Sequence, residues 1–242
     1  MKPIHAVVRI LAVVAAVLVI YYWAYPQMMR FYYYYTAESR MLEVPAFPEI
    51  KEYYPDLYKQ ILSDTKTAII KGGKMDDIIA ANGDKIAALL GSDLPLASHE
   101  ATSAFITSFI GLFRKAGNSD PECCVDLING NEQCMWTLMT PEEQNEVLRA
   151  IALIIRSAHT EPAKLKDVKQ AKRDVGRVSS NVVAKYGPEI DYTAQTELTE
   201  EDKKKVCFAI AELYSETLKL PPARSSDAIK FLLSGTGGEP QQ

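Results

Sequence analysis

The longest apolar run of this 242-residue chain, Ile4 to Ala24, constrains its fold more than any other feature. At about 1.5 Å of rise per residue, a helix of this length reaches roughly 30 Å, the thickness of a bilayer's hydrocarbon core. Arg9 lies near the start of the run, so its guanidinium can reach the lipid headgroups beside Lys2. We predict a single transmembrane helix, an uncleaved signal anchor, over residues 1–25.

Aromatic residues mark the far end of this run. Tyr21, Tyr22, Trp23 and Tyr25 form a cluster of the kind enriched at the membrane–water boundary, and Pro26 then ends or kinks the helix. We therefore predict that these four residues and Arg9 lie at the two membrane interfaces.

Two other interpretations of the run stay open. A removable export signal needs a shorter apolar core and small residues before the cleavage site, and Tyr22 stands where a small residue is required. The run could also be a buried helix of a soluble protein. The basic residues at the N-terminal end favour a cytoplasmic N-terminus at the cell (inner) membrane, with the main domain outside the cytoplasm.

Sequence signals for helix starts recur along the rest of the chain. Thr140 before Pro141 and Glu143 combines a hydroxyl cap, a proline and a carboxylate that can reach back to the cap. Thr199 precedes an acidic turn in the same way. Further start signals, the last two weaker, are Asp120 before Pro121, Ser98 and Ser226.

Apolar periodicity agrees with these starts. Stripes at helical spacing predict five helices. One includes Leu57 and Ala68 and ends at Gly72 and Gly73, one includes Phe105 and Phe113 and ends near Gly117, one covers Glu142 to Ala158, one includes Leu165 and Val182 and ends at Gly187 and Pro188, and one includes Val206 and Leu213 and ends before Pro221. No stretch after Pro48 alternates like a strand. We predict an all-α fold: a transmembrane helix, an aromatic juxtamembrane segment (26–47), a multi-helix bundle (48–233) and a flexible, Gly-rich tail (234–242).

Four consecutive tyrosines, Tyr32, Tyr33, Tyr34 and Tyr35, distinguish the juxtamembrane segment. On a helix they point in all directions, so they cannot all face one core. The segment could lie near the membrane surface, where tyrosine is favoured on every side. It could instead be a partner surface, because tyrosine recurs at the hot spots of protein interfaces.

The four cysteines suggest disulfides if the domain lies outside the cytoplasm. A bridge between the neighbours Cys123 and Cys124 would be strained, so one is expected to pair with Cys134 and the other with Cys207. A single bridge or free thiols are the alternatives. The spacing does not fit a structural zinc site, and we predict no metal or cofactor.

A basic helix face follows Glu161 and includes Lys169 and Arg173. It is either a solvated face opposite a valine stripe or a surface for anionic lipid or an acidic partner. The net charge of −4 argues against nucleic-acid binding.

No residues show the spacing of a catalytic site. We therefore expect an interaction, scaffold or accessory subunit, with the lipid bilayer and an envelope protein as partners. A tethered enzyme using His99, His159, Glu100 or a free cysteine is one alternative, and a helical domain that binds lipid or a small ligand is another.

Overall fold

A computed structural model describes residues 25–72, 75–128, 133–187 and 198–233. These residues form eleven α helices and one short 3₁₀ helix, with no strand among them, which confirms the all-α prediction. The predicted anchor Ile4–Ala24, with Arg9, Tyr21, Tyr22 and Trp23, lies outside the described residues, as does the tail 234–242. Of Tyr25 only the backbone is described. None of the described helices is long and apolar enough to cross a bilayer.

The helices are numbered in chain order. They are α1 (Tyr25–Glu43), α2 (Phe47–Tyr53), α3 (Pro55–Lys71), α4 (Met75–Asp93), α5 (His99–Ser119), α6 (Pro121–Ile128), α7 (Gln133–Leu138), α8 (Pro141–Thr160), α9 (Val168–Tyr186), α10 (Glu200–Leu218) and α11 (Pro222–Leu233), with the 3₁₀ helix Leu94–Leu96 before α5.

Most predicted helix starts are confirmed. Thr140 and Thr199 both form capping boxes, the first with Glu143 and the second with Asp202. Ser98 accepts a hydrogen bond from the Ala101 amide, as expected for an N-cap.

Two predicted boundaries are wrong. Ser226 is buried inside α11, which begins at Pro222. Proline suits the start of a helix because the N–H group that it lacks would have no partner in the first turn. Leu165 precedes α9 and lies in the connection from α8. Backbone amides of this connection are held by α11, since Asp227 accepts hydrogen bonds from the amides of Lys166 and Asp167.

The core lies around α5, which packs against α6, α7, α8, α10 and α11. Ile106 of α5 and Ile154 and Ile155 of α8 are almost completely buried. Leu153 is 37% exposed, so the predicted central helix keeps one solvent-facing edge. Helices α1, α2 and α3 pack on one another beside this core, and α2 connects them to α8.

The cysteines form two pairs at disulfide distance. The Cα atoms of Cys123 and Cys134 are 5.5 Å apart, and those of Cys124 and Cys207 are 5.8 Å apart, both within the normal range. This is the pairing expected from the spacing. One bridge joins α6 to α7 and the other joins α6 to α10.

Gly117 allows α5 to approach α10 closely beside the second bridge. A methyl group at Gly117 would lie 3.0 Å from the Cβ atom of Cys207 and 3.3 Å from the ring of Phe208. Cys207 is held by its bridge to Cys124, so it has little freedom to move away. Gly111, on an exposed part of the same helix, would meet nothing within 4 Å.

We expect Gly117→Ala to lower the free energy of unfolding by about 1–2 kcal/mol, since overpacking of about 1–3 kcal/mol outweighs the better helix propensity of alanine. Gly111→Ala is the matched control and should gain about 0.5–1 kcal/mol. Chemical denaturation of both variants measures the difference. Equal effects of the two changes would contradict the close approach.

We also expect the two bridges to differ in their contribution to stability. In the chain-entropy model, a bridge over 83 residues contributes about 4.5 kcal/mol and one over 11 residues about 3 kcal/mol. Replacing Cys124 and Cys207 by alanine should therefore destabilise the chain more than replacing Cys123 and Cys134. Alkylation of native protein before and after reduction tests the bridges directly. Labelling of all four thiols without reductant would contradict them.

Candidate functional site

Helix α1 carries an exposed apolar surface along one side. Met28, Phe31, Tyr32 and Tyr35 are 62%, 63%, 52% and 78% exposed. Their spacing of three, four and seven residues from Met28 places them on one helix face. We call these four residues the aromatic stripe. A contiguous apolar surface of this kind typically marks an interaction site.

The other side of α1 packs against the protein. Ala37 and Met41 are buried, and α1 lies against α3. The Lys66 ammonium of α3 stands 5.3 Å from the ring centre of Tyr34, which is half-buried, and the Arg40 guanidinium stands 4.9 Å from that of Tyr33. Such cation–π contacts hold rings in place. The Arg40 guanidinium also stands 5.6 Å from the ring centre of Tyr32. Cations therefore engage Tyr32, Tyr33 and Tyr34, while Tyr32 and Tyr35 belong to the stripe.

A salt bridge and a stacked ring pair fix α2 to the core beneath this surface. The carboxylate of Glu49, which is buried, pairs with the guanidinium of Arg156 on α8. The ring of Tyr53 stacks on the imidazole of His159 with centres 4.7 Å apart. Because α2 also packs against α1 and α3, these contacts hold the aromatic stripe relative to the bundle.

Tyr54, Asp93 and His159 form a polar cluster at the same junction. The Tyr54 hydroxyl donates a hydrogen bond to the buried Asp93 carboxylate, and Nε2 of His159 lies 3.0 Å from that hydroxyl and 3.6 Å from the other carboxylate oxygen. Burial, followed by the bond to Asp93, raises the pKa of Tyr54 to about 12. Tyr54 is therefore a permanent donor at neutral pH, which suits a structural role rather than a base or nucleophile.

The two histidines suggested as groups of a tethered enzyme have different neighbours. His99 lies 3.3 Å from the Ser103 hydroxyl at the start of α5, whereas His159 contacts Tyr53 and Tyr54. Glu100 is exposed, and all four cysteines are paired. Within the described ranges, no group of three potential ligands could hold a metal ion.

The predicted basic face of α9 is exposed. Lys169 projects to solvent, and Arg173 donates a hydrogen bond to the Gln170 side chain. The inner face carries Asp174, which is buried and bonded to Arg224 of α11; these bonds hold the pKa of Asp174 below its ordinary value. The face thus has the layout of a solvated amphipathic helix, and its role as a partner surface stays a prediction.

An apolar cavity of about 450 Å³ opens between the helices of the core. Its walls include Ala87 of α4, Phe109 of α5, Trp136 of α7, Ile151 of α8 and Tyr214 of α10. The cavity is partly open to solvent, and hydrophobic and aromatic walls of this kind are typical of small-molecule pockets.

The sequence carried a signal for the aromatic stripe that the four-tyrosine pattern obscured. Met28 and Phe31 share the helical spacing of Tyr32 and Tyr35. No sequence signal identified the Tyr54–Asp93 pair or the cavity, because their residues come from helices far apart in the chain.

Comparison with protein families, with characterised proteins and with solved structures finds no match to this chain.

We expect Tyr54→Phe to lower the free energy of unfolding by about 2 kcal/mol, because a buried carboxylate loses a hydrogen bond. Tyr58→Phe is the matched control. The Tyr58 hydroxyl is buried without a hydrogen-bond partner among the described residues, so its removal should cost nothing or stabilise by up to about 1 kcal/mol. Urea unfolding of both variants distinguishes them, and a loss as large for Tyr58→Phe would contradict this assignment.

Proposed function

We propose that this protein is a single-pass membrane-anchored scaffold or accessory subunit, and that its aromatic stripe docks against a membrane protein partner. The observation that carries the proposal is the exposure of Met28, Phe31, Tyr32 and Tyr35 on one face of α1, a few residues after the apolar run Ile4–Ala24. Large aromatic and methionine side chains are enriched where proteins bind one another.

The height of the stripe above the proposed anchor favours a protein over lipid. If α1 leaves the membrane along its normal after Pro26, Tyr35 stands up to about 16 Å beyond Ala24. The interfacial layer on each side of the hydrocarbon is only about 5–8 Å thick. Phe31 and Tyr35 would then stand above the headgroups, where exposed aromatic rings are better covered by another protein.

The expected partner surface is apolar and helical. The aromatic stripe is narrow and lies along a helix axis, which matches the groove between two helices of a membrane protein at its water-facing edge. The contacts of Glu49 with Arg156 and of Tyr53 with His159 support a docking role, since they limit the conformational freedom that the helix would lose on binding.

The proposed location is the cell (inner) membrane, with the N-terminus in the cytoplasm and the bundle outside it. Two observations support this orientation. The basic residues Lys2 and Arg9 stand on the short N-terminal side of the run. The paired cysteines suit an oxidising compartment, where disulfides persist.

The test places a photoreactive phenylalanine derivative at Tyr35 of the full-length chain in native membranes. We expect a discrete crosslinked product with one membrane protein, identified by mass spectrometry. A second substitution, Phe31→Ser, should reduce the amount of this product about 30-fold, the effect of losing a binding hot spot.

The control places the same derivative at Val183 of α9, which is also exposed and apolar but lies away from the aromatic stripe. This position should give no such product, and Val183→Ser should not change the yield from Tyr35. Adducts with lipid alone at Tyr35, or the same products from both positions, would overturn the proposal.

A further inference from the structure

We infer that the apolar cavity binds one uncharged aliphatic chain, such as an acyl chain of a membrane lipid. This site is separate from the aromatic stripe, because its walls come from α4 to α8, α10 and α11 rather than from α1. The inference therefore does not depend on how the stripe is used.

The lining residues determine the class of ligand. Every described residue that lines the cavity is apolar or aromatic, and only Trp136 and Tyr214 carry a polar side-chain atom. Water fills a cavity well only when each molecule finds two to four polar partners, so water is a poor occupant here. Without a charged side chain in the described lining, a ligand held by an ion pair is disfavoured.

The volume sets the length of the chain. A methylene group occupies about the volume of a water molecule, roughly 30 Å³. Because the cavity of about 450 Å³ is partly open to solvent, about fifteen carbons is an upper limit on the part of a chain that it can hold. A common lipid acyl chain lies near this limit.

The exposure of the lining residues shows a route into the cavity. Ala87 of α4 lines the cavity and is also exposed, so it lies at the mouth. Ile106 and Val147 line the same space and are buried, so they form the floor between α5 and α8. A chain that enters beside Ala87 would extend toward these two residues.

The experiment uses a long-chain alcohol that carries a photoreactive diazirine in its middle. The full-length chain, reconstituted in phosphatidylcholine nanodiscs, is irradiated with this alcohol, and labelled peptides are identified by mass spectrometry. We expect labels on α5 and α8 near Ile106 and Val147. Unlabelled hexadecanol should compete and hexanol should not, because each added methylene strengthens binding about fourfold.

Two variants of α4 make the test specific. Ala87→Phe places a ring across the mouth and should reduce labelling of α5 and α8 at least about tenfold. This is the effect expected when the ligand loses the contacts of roughly two methylene groups or more. Ala88→Phe is the matched control: the neighbouring residue is also exposed and does not line the cavity, so labelling should be unchanged.

Labelling within Ile4–Ala24 provides a reference, since it reports on the surrounding bilayer and should be equal in all variants. Labels confined to that segment or to α1 would overturn the inference. So would equal labelling of α5 and α8 in the two variants, or competition that does not depend on chain length. The competition series uses the unsubstituted chain and so tests the cavity even if Ala87→Phe fails to fold.

Loss of the Tyr35 crosslink with the cavity labels intact would overturn the docking proposal alone.

Discussion

The close packing of α5 against α10 is the constraint on which the bundle depends. Gly117 brings the two helix backbones together beside Cys207, and the bridge from Cys207 to Cys124 fixes α6 at the same place. Helices α8 and α11 then pack on α5, and α9 packs on α10 and α11. A single small residue thus sets the spacing around which the larger core residues, such as Ile106 and Ile154, are arranged.

The first three helices join the core by apolar packing and by polar contacts. Ile50 of α2 is fully buried in the core, and the pairs Glu49 with Arg156 and Tyr54 with Asp93 supplement this packing. The polar pairs matter for orientation. These are directional interactions, whereas apolar burial is not. They can therefore define the angle at which α1 leaves the bundle.

Local sequence signals predicted most helices but not their arrangement. Helix caps act within one turn, so they can be recognised in the sequence, as at Thr140, Thr199 and Gly72. Helix α4 was not predicted, because Gly83 and Gly91 interrupt its apolar pattern. The pairing of Asp93 with Tyr54 and the cavity between α4 and α10 depend on contacts between distant segments, which no local pattern encodes.

Two neighbouring cysteines bonded in different directions give the cavity walls unequal rigidity. Cys123 ties α6 to α7, and Cys124 ties α6 to α10, so the side that carries Leu127 and Trp136 is covalently cross-linked twice. Helix α4, which also lines the cavity, has no such bond. Breathing motions of the bundle should therefore be concentrated in α4, where Ala87 is, and widening of the mouth would leave α5 and α10 undisturbed.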